Sequence, residues 1–169
     1  MTLLHDLHPQ ALRIAEALRA RGEKVAVADG ATGGLIMASL LTAPGALNFF
    51  KGGGVVYSFK ARNVLFDLPR DAYDGMVSAS EEYALLQARA IRDRMGASWG
   101  IAESGSAGSS KHPMGVVSGR SVAAIAGPDG VEEVAILETD SDDRIDNMQA
   151  FTRNALNLLE QIVTRPRGE

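Results

Sequence analysis

The stretch AVADGATGGLIMASLLT, residues 26–42, decides the fold. Ala26 to Asp29 belongs to a run of small apolar residues, KVAVAD, with the composition of a short strand buried on both faces. Asp29-Gly30-Ala31-Thr32-Gly33-Gly34 follows as a turn, and from Gly33 the chain takes on helical apolar spacing until Pro44 ends it. Strand, glycine turn and helix make the opening unit of an α/β domain, whose ligands sit beyond the carboxyl ends of its parallel strands. Small residues in the turn let backbone approach a ligand, and a helix start offers free N–H groups and a positive dipole end to an anion. The spacing is neither G-x-G-x-x-G nor G-x-x-x-x-G-K-[ST], so neither of those phosphate motifs applies. Tight strand–helix packing accounts for the glycines as well as a ligand does.

Outward from this unit, the pattern alternates. HPQALRIAEALRARGEK predicts a helix with Leu12, Ala15 and Leu18, and Ile14 with Leu18, on one stripe, stopped at Gly22. GALNFFKGGG (45–54) reads as a glycine-rich loop, GVVYS as a strand and FKARNVLFDLP as a short helix. VSASEEYALLQARAIRDRMG is a long helix, with Ser78 and Ser80 as candidate N-caps and Glu81 and Glu82 in its first turn. SWGIAESG is a third strand. MGVVSGRSVAAIAG and VEEVAILETD read as antiparallel strands around the turn Pro128-Asp129-Gly130. A last helix from Asp143 to Val163 buries Ile145, Met148, Thr152, Ala155, Leu159 and Ile162, and the tail from about residue 164 is expected to fray. With no repeat or linker, residues 1–169 are expected to form a single three-layer α/β/α domain around a mixed sheet. The loops at 29–34, 57–62 and 103–113 would then meet at one end.

Bulk properties narrow the function. A chain of 169 residues, 46% of them hydrophobic, can bury a sizeable core, so no metal or disulfide is needed to hold it. A formal net charge of −4 gives no general pull toward nucleic acid or an acidic membrane. Without cysteine there is no disulfide, thiol nucleophile or thiolate metal site. No apolar run approaches the roughly 20 residues of a membrane span, and MTLLHDLHPQ does not read as a signal peptide. The expectation is a cytoplasmic protein without metal, cofactor, nucleic-acid or membrane partner, and a homo-oligomer.

Four places concentrate chemistry. The first is the turn at 30–34. The second is GGGVVYSFKAR, where Tyr57 and Ser58 end a strand and Lys60 and Arg62 begin a helix, two hydroxyls and two cations fit to grip a phosphate. The third is ESGSAGSSKHP, a Ser- and Gly-rich loop containing Ser104, Gly105 and His112. A lone histidine is more often a surface residue than a catalyst, and His5 and His8 weigh no more. The fourth is SDDRIDN, where Asp142 or Asp143 caps a helix and Arg144 reaches a ligand or the cap. A solvated helix start and a capped helix are the default readings of the second and fourth.

Taken together, these stretches resemble the C-terminal domain family of the competence- and damage-inducible protein CinA, which includes the stand-alone nicotinamide mononucleotide (NMN) amidohydrolases. The family's A-E-S-C-T-G-G-L-I stands here as Ala28 to Ile36, its L-T-x-x-P-G-x-S-x-x-F-x-G-G as LTAPGALNFFKGGG, and its Y-S-N-x-x-K as YSFKAR. GMVS matches G-A-V-S, ESGSAGSSKHPMGVV is a shortened S-G-I-A-G-P…K-P-V-G-T-V, and Asp143-Arg144 matches G-D-R. The resemblance implies hydrolysis of a nicotinamide carboxamide by a serine–lysine pair, with backbone N–H groups of the glycine turn facing the oxyanion. Both positions of that pair are changed. The serine position is Gly30, and the lysine position is Arg62, whose guanidinium stays protonated and accepts no proton. Lys60 lies about 200° away on a helix and faces elsewhere. Asp29 replaces the family's Glu.

The leading expectation is a degenerate family member with no intact catalytic pair. It would bind a nucleotide or phosphorylated small molecule through Gly30, Ala31, Thr32, Gly33, Gly34, Tyr57, Ser58, Arg62, Ser104, Gly105 and Arg144. An active amidohydrolase using Thr32, Ser104 or a water activated elsewhere, and a non-enzymatic oligomeric interaction protein, are the alternatives. On sequence alone, Gly30→Ser with Arg62→Lys is the change that rebuilds the pair.

Overall fold

The computed structural model describes residues 2–167, so the last two residues of the expected frayed tail lie outside it. Ten regular elements follow the chain: α1 (Leu3–Ala20), β1 (Val25–Asp29), α2 (Leu35–Leu40), β2 (Phe50–Val55), α3 (Phe59–Phe66), α4 (Glu81–Met95), β3 (Trp99–Ser106), β4 (Arg120–Ala126), β5 (Glu132–Glu138) and α5 (Arg144–Val163). The sheet order is β2-β1-β3-β4-β5; β2, β1 and β3 run parallel, and β4 and β5 run antiparallel to their neighbours. This is the mixed sheet expected from alternating elements followed by a late strand pair.

β1 is an inner strand between β2 and β3, and all five of its residues are buried and small enough for helices on both sides. Its alternation divides the core. Val25 and Val27 join Ile14, Leu18, Leu156 and Leu159 on the face covered by α1, α2 and α5. Ala26 and Ala28 join Phe66, Tyr83 and Ile91 on the face covered by α3 and α4. Thus α3 and α5 flank the sheet from opposite sides. Among the described residues no helix is long and apolar enough to cross a membrane.

Several sequence expectations need correction. The glycine-rich stretch is a strand: β2 spans Phe50–Val55, four residues before the expected GVVYS. A Cβ on Gly53 would lie 1.9 Å from the Val27 carbonyl oxygen, so the glycines let β2 close on β1 rather than mark a loop. α1 starts at Leu3 and runs through Pro9, because Leu7, 3% exposed, and Leu3 extend its apolar face and offset the lost hydrogen bond. Leu12 is 40% exposed; the buried stripe is Leu7, Ala11, Ile14, Ala15 and Leu18. Residues 114–119 precede β4 instead of belonging to it. In α5, Ile145 is 68% exposed and Met148 only half-buried; the buried residue of this turn is the polar Asn147, whose amide donates to the Ala107 and Ser141 carbonyls, and the apolar stripe begins at Phe151.

The caps are Ser80 for α4, whose hydroxyl accepts from Tyr83 N–H, and Asp143 for α5, whose Oδ1 accepts from Asp146 N–H at 2.9 Å. Ser78 and Asp142 do not cap. Asp143→Ala is expected to lower stability by about 1 kcal/mol, seen as a fall of roughly 2–4 °C in melting temperature.

Candidate functional site

A cavity of about 470 Å³ opens beyond the carboxyl ends of β1 and β3. That size falls in the range of roughly 300–1,000 Å³ typical of small-molecule sites. Of the residues singled out in the sequence, Gly30, Ala31, Gly33, Tyr57, Ser58, Arg62, Ser104, Gly105 and Arg144 line it. Thr32 and Gly34 do not. Gly34 precedes α2 at φ 97°, where it supplies the turn. Thr32 is fully buried beneath the turn, and its Oγ1 donates to Asp29 Oδ1 at 2.6 Å. With its hydrogen held there and its oxygen out of reach, Thr32 is no nucleophile.

The turn also fails to offer its amides in the way expected. Thr32 N–H donates to Glu103 Oε2 at 3.0 Å, Ile36 N–H to Asp29 Oδ1 at 3.1 Å and Met37 N–H to Asp29 Oδ2 at 3.2 Å. Gly33 N–H and Leu35 N–H bond to carbonyls of the turn itself. The start of α2 is therefore bonded by Asp29 and the turn's Thr32 by Glu103, and these N–H groups are not free for an outside anion.

Glu103 is the residue that sequence reasoning missed. It is fully buried in β3, beside the turn. Ser121 Oγ lies 2.6 Å from its Oε1, and Thr32 supplies the contacts to Oε2. Burial pushes its carboxyl up to about 7, with Asp29 nearby raising it further and the hydrogen bonds opposing. Burial also raises Asp29, against its bonds to Thr32, Ile36 and Met37. A lone acid inside the otherwise uncharged strand WGIAESGS was the available signal; its partners lie 71 and 18 residues away.

Glu103 also fixes Gly30. An ideal Cβ on Gly30 would stand 2.2 Å from the Glu103 carbonyl oxygen and 3.1 Å from its Oε2. At this position no side chain fits unless the turn or the strand end shifts. On the other side of the acid, a Cβ on Gly105 would stand 2.6 Å from Glu103 Oε1, so the carboxyl sits between two residues that lack side chains.

The cavity's hydroxyls are largely fixed. Ser58 Oγ accepts from Ala61 N–H at 3.1 Å and so caps α3 while facing the cavity. Ser104 Oγ accepts from Ala79 N–H at 3.0 Å, which leaves its own hydrogen to donate. Ser78 Oγ lies 3.3 Å from His112 Nε2, while His112 Nδ1 accepts from Met114 N–H at 3.1 Å. Because a backbone amide only donates, the neutral ring carries its proton on Nε2 and cannot take one from Ser78. Burial holds the imidazole below its ordinary value, in the same neutral form. This pair is therefore not a serine–histidine dyad.

Cations supply the remaining chemistry. The Arg62 guanidinium lies 3.5 Å from the centroid of the Tyr73 ring and 4.9 Å from that of Phe59, and Nη1 donates to Tyr83 Oη at 3.4 Å. Its buried Nε finds no partner among the described residues. Arg144 packs its guanidinium over Gly108, where a Cβ would stand 2.8 Å from Nη2. Lys111 adds an exposed charge on the same cavity, whereas Lys60 is exposed and does not line it. Eight other arginines pair with carboxylates; Arg62, Arg144 and Lys111 have no such partner among the described residues. Glu103 is the one acid on the cavity wall, and its carboxyl is engaged beneath the surface.

The CinA C-terminal domain model matches residues 8–163, and the chain belongs to that family. It is 35% identical over 146 residues to a CinA-like protein of Anaeromyxobacter sp. (strain K), covering 84% of this chain and 34% of the relative. A CinA-like protein of Myxococcus xanthus (strain DK1622) is 37% identical over 103 residues, 61% of this chain and 24% of the relative. The chain thus spans about a third or less of these relatives' length. Its fold matches the crystal structure of a CinA superfamily protein from Klebsiella pneumoniae 700603, with TM-score 0.83, 25% identity and coverage of 93% of this chain and 97% of that one. A counterpart from Enterobacter cloacae gives TM-score 0.84 at 23% identity, covering 94% and 92%.

Proposed function

We propose that this CinA-family domain binds a nucleotide or another phosphorylated small molecule without hydrolysing an amide. The observation that carries the reading is the closure at Gly30: the position that the family resemblance gives to a serine has no room for a Cβ beside the Glu103 carbonyl. The losses around it point the same way. Arg62 stands at the lysine position, Thr32 is buried with its hydrogen engaged, and His112 carries its proton on the nitrogen facing Ser78. What persists is a cavity with three cations and no exposed acid, which favours an anion. This supports binding through Arg62, Arg144 and Lys111, with the turn at 30–33 as a wall.

The test has two arms. Micromolar protein incubated with NMN is expected to yield no nicotinic acid mononucleotide by chromatography; steady formation of that product overturns the non-hydrolytic half of the reading. Adenosine 5′-monophosphate or NMN is expected to raise the melting temperature, since a ligand that binds only the folded state stabilises it. An unchanged melting temperature with every phosphorylated compound overturns the binding half and leaves an interaction protein.

A further inference from the structure

We infer that the cavity is built for a small molecule with two anionic groups, one on Arg62 and the other on Arg144. The inference rests on the anion-binding reading above and specifies the class of ligand. The two guanidiniums come from opposite layers: α3 packs on α4 at one face of the sheet, and α5 packs on α1 at the other. Each is held in its own wall. Arg62 stacks between Phe59 and Tyr73 and contacts Tyr83, whereas Arg144 lies over Gly108. Their wall partners differ, Phe59, Tyr73 and Tyr83 for Arg62 and Gly108 for Arg144, which makes them two positive positions rather than one clamp.

A single phosphate satisfies one of these positions and leaves most of the 470 Å³ empty. The lining also includes Ser78, Ser104 and Ser106 beside the apolar Val56, Phe59, Met114 and Met148, and Ser104 has a free hydrogen to donate. His112 adds a neutral donor on the same side as Ser78. The lack of an exposed acid removes any partner for a cationic group on the ligand, and the two fixed guanidiniums repel one.

Fructose 1,6-bisphosphate and fructose 6-phosphate differ by one terminal phosphate and serve as probes. Calorimetric titration of the intact protein is expected to show the bisphosphate binding at least about tenfold more tightly, the effect of one added charge-assisted contact set. Arg62→Gln and Arg144→Gln are each expected to bring the bisphosphate down to the monophosphate's affinity. Because Arg62→Gln also removes a ring stack, Arg144→Gln serves as the independent variant if the first fails to fold. Equal affinity for the two sugar phosphates, or a bisphosphate affinity indifferent to Arg144, overturns the ligand with two anionic groups. If a nucleotide nevertheless binds, the anion-binding reading stands alone. Failure of nucleotides and both sugar phosphates at about 10 mM, far too weak for a built site, overturns both.

Discussion

Gly30→Ser is expected to lower stability by about 3 kcal/mol and to create no amidase, alone or with Arg62→Lys. The cause is steric. The new Cβ would meet the Glu103 carbonyl oxygen at 2.2 Å, in the turn just past the last β1–β3 pair, where the backbone of β3 leaves it no room unless the turn or the strand end shifts. In a domain of this size the loss corresponds to a fall of roughly 6–12 °C in melting temperature. Gly30→Ala separates overlap from chemistry: it carries the same Cβ without the hydroxyl and is expected to lose as much. A Gly30→Ser, Arg62→Lys protein that melts like the parent and releases ammonia from NMN would show that the turn or the strand end shifts readily. This outcome would undo the claim that the serine position has closed. The sequence comparison alone suggested a two-residue repair; the coordinates add Glu103 as a third obstacle, which the repair leaves in place.

The path from sequence to this site was uneven, for physical reasons. The unit from Val25 to Leu40 was legible because a run of small buried residues followed by glycines at positive φ is a local pattern. The caps of α4 and α5 were legible for the same reason, since Ser80 and Asp143 act within three residues. β2 was not, because Gly52-Gly53-Gly54 carries no side-chain periodicity; its strand state depends on pairing with β1, where Val27 leaves no room for a side chain at Gly53. The candidate residues in the three loops were found by composition, and parallel pairing of β1 with β2 and β3 brings those loops to one end. The occupied helix start was invisible. Asp29 looked like a mild replacement in a motif, and Glu103 like a polar residue near a loop. Only the pairing of β1 with β3 shows that together they take the N–H groups of Thr32, Ile36 and Met37.

Glu103→Gln is expected to stabilise the protein by about 3 kcal/mol at about pH 8 and by little at about pH 5. The Glu103 carboxyl has an ordinary value of 4.5 and sits at about 7 in the fold, so the folded state holds a proton that the unfolded state has released. Its contribution is fully present below about 4.5 and is lost as pH rises through about 7, because ionisation then charges a group with no water beside it. Asp29, also raised by burial, works in the same direction. His112, held below its ordinary value, works in the opposite one, since its neutral form is favoured in the fold. The wild-type profile alone therefore mixes these groups, and the difference between wild type and variant isolates Glu103. Gln fits the site without a charge: its oxygen accepts from Thr32 N–H, and its amide donates to Ser121 Oγ, where Oε1 now stands 2.6 Å away. Glu103→Ala removes those partners and is expected to be destabilising at both pH values. Urea unfolding of the three proteins at the two pH values reads the effect directly. If Glu103→Gln tracks the wild type across the range, Glu103 is ionised in the fold and the buried pair is held by its hydrogen bonds rather than by a proton.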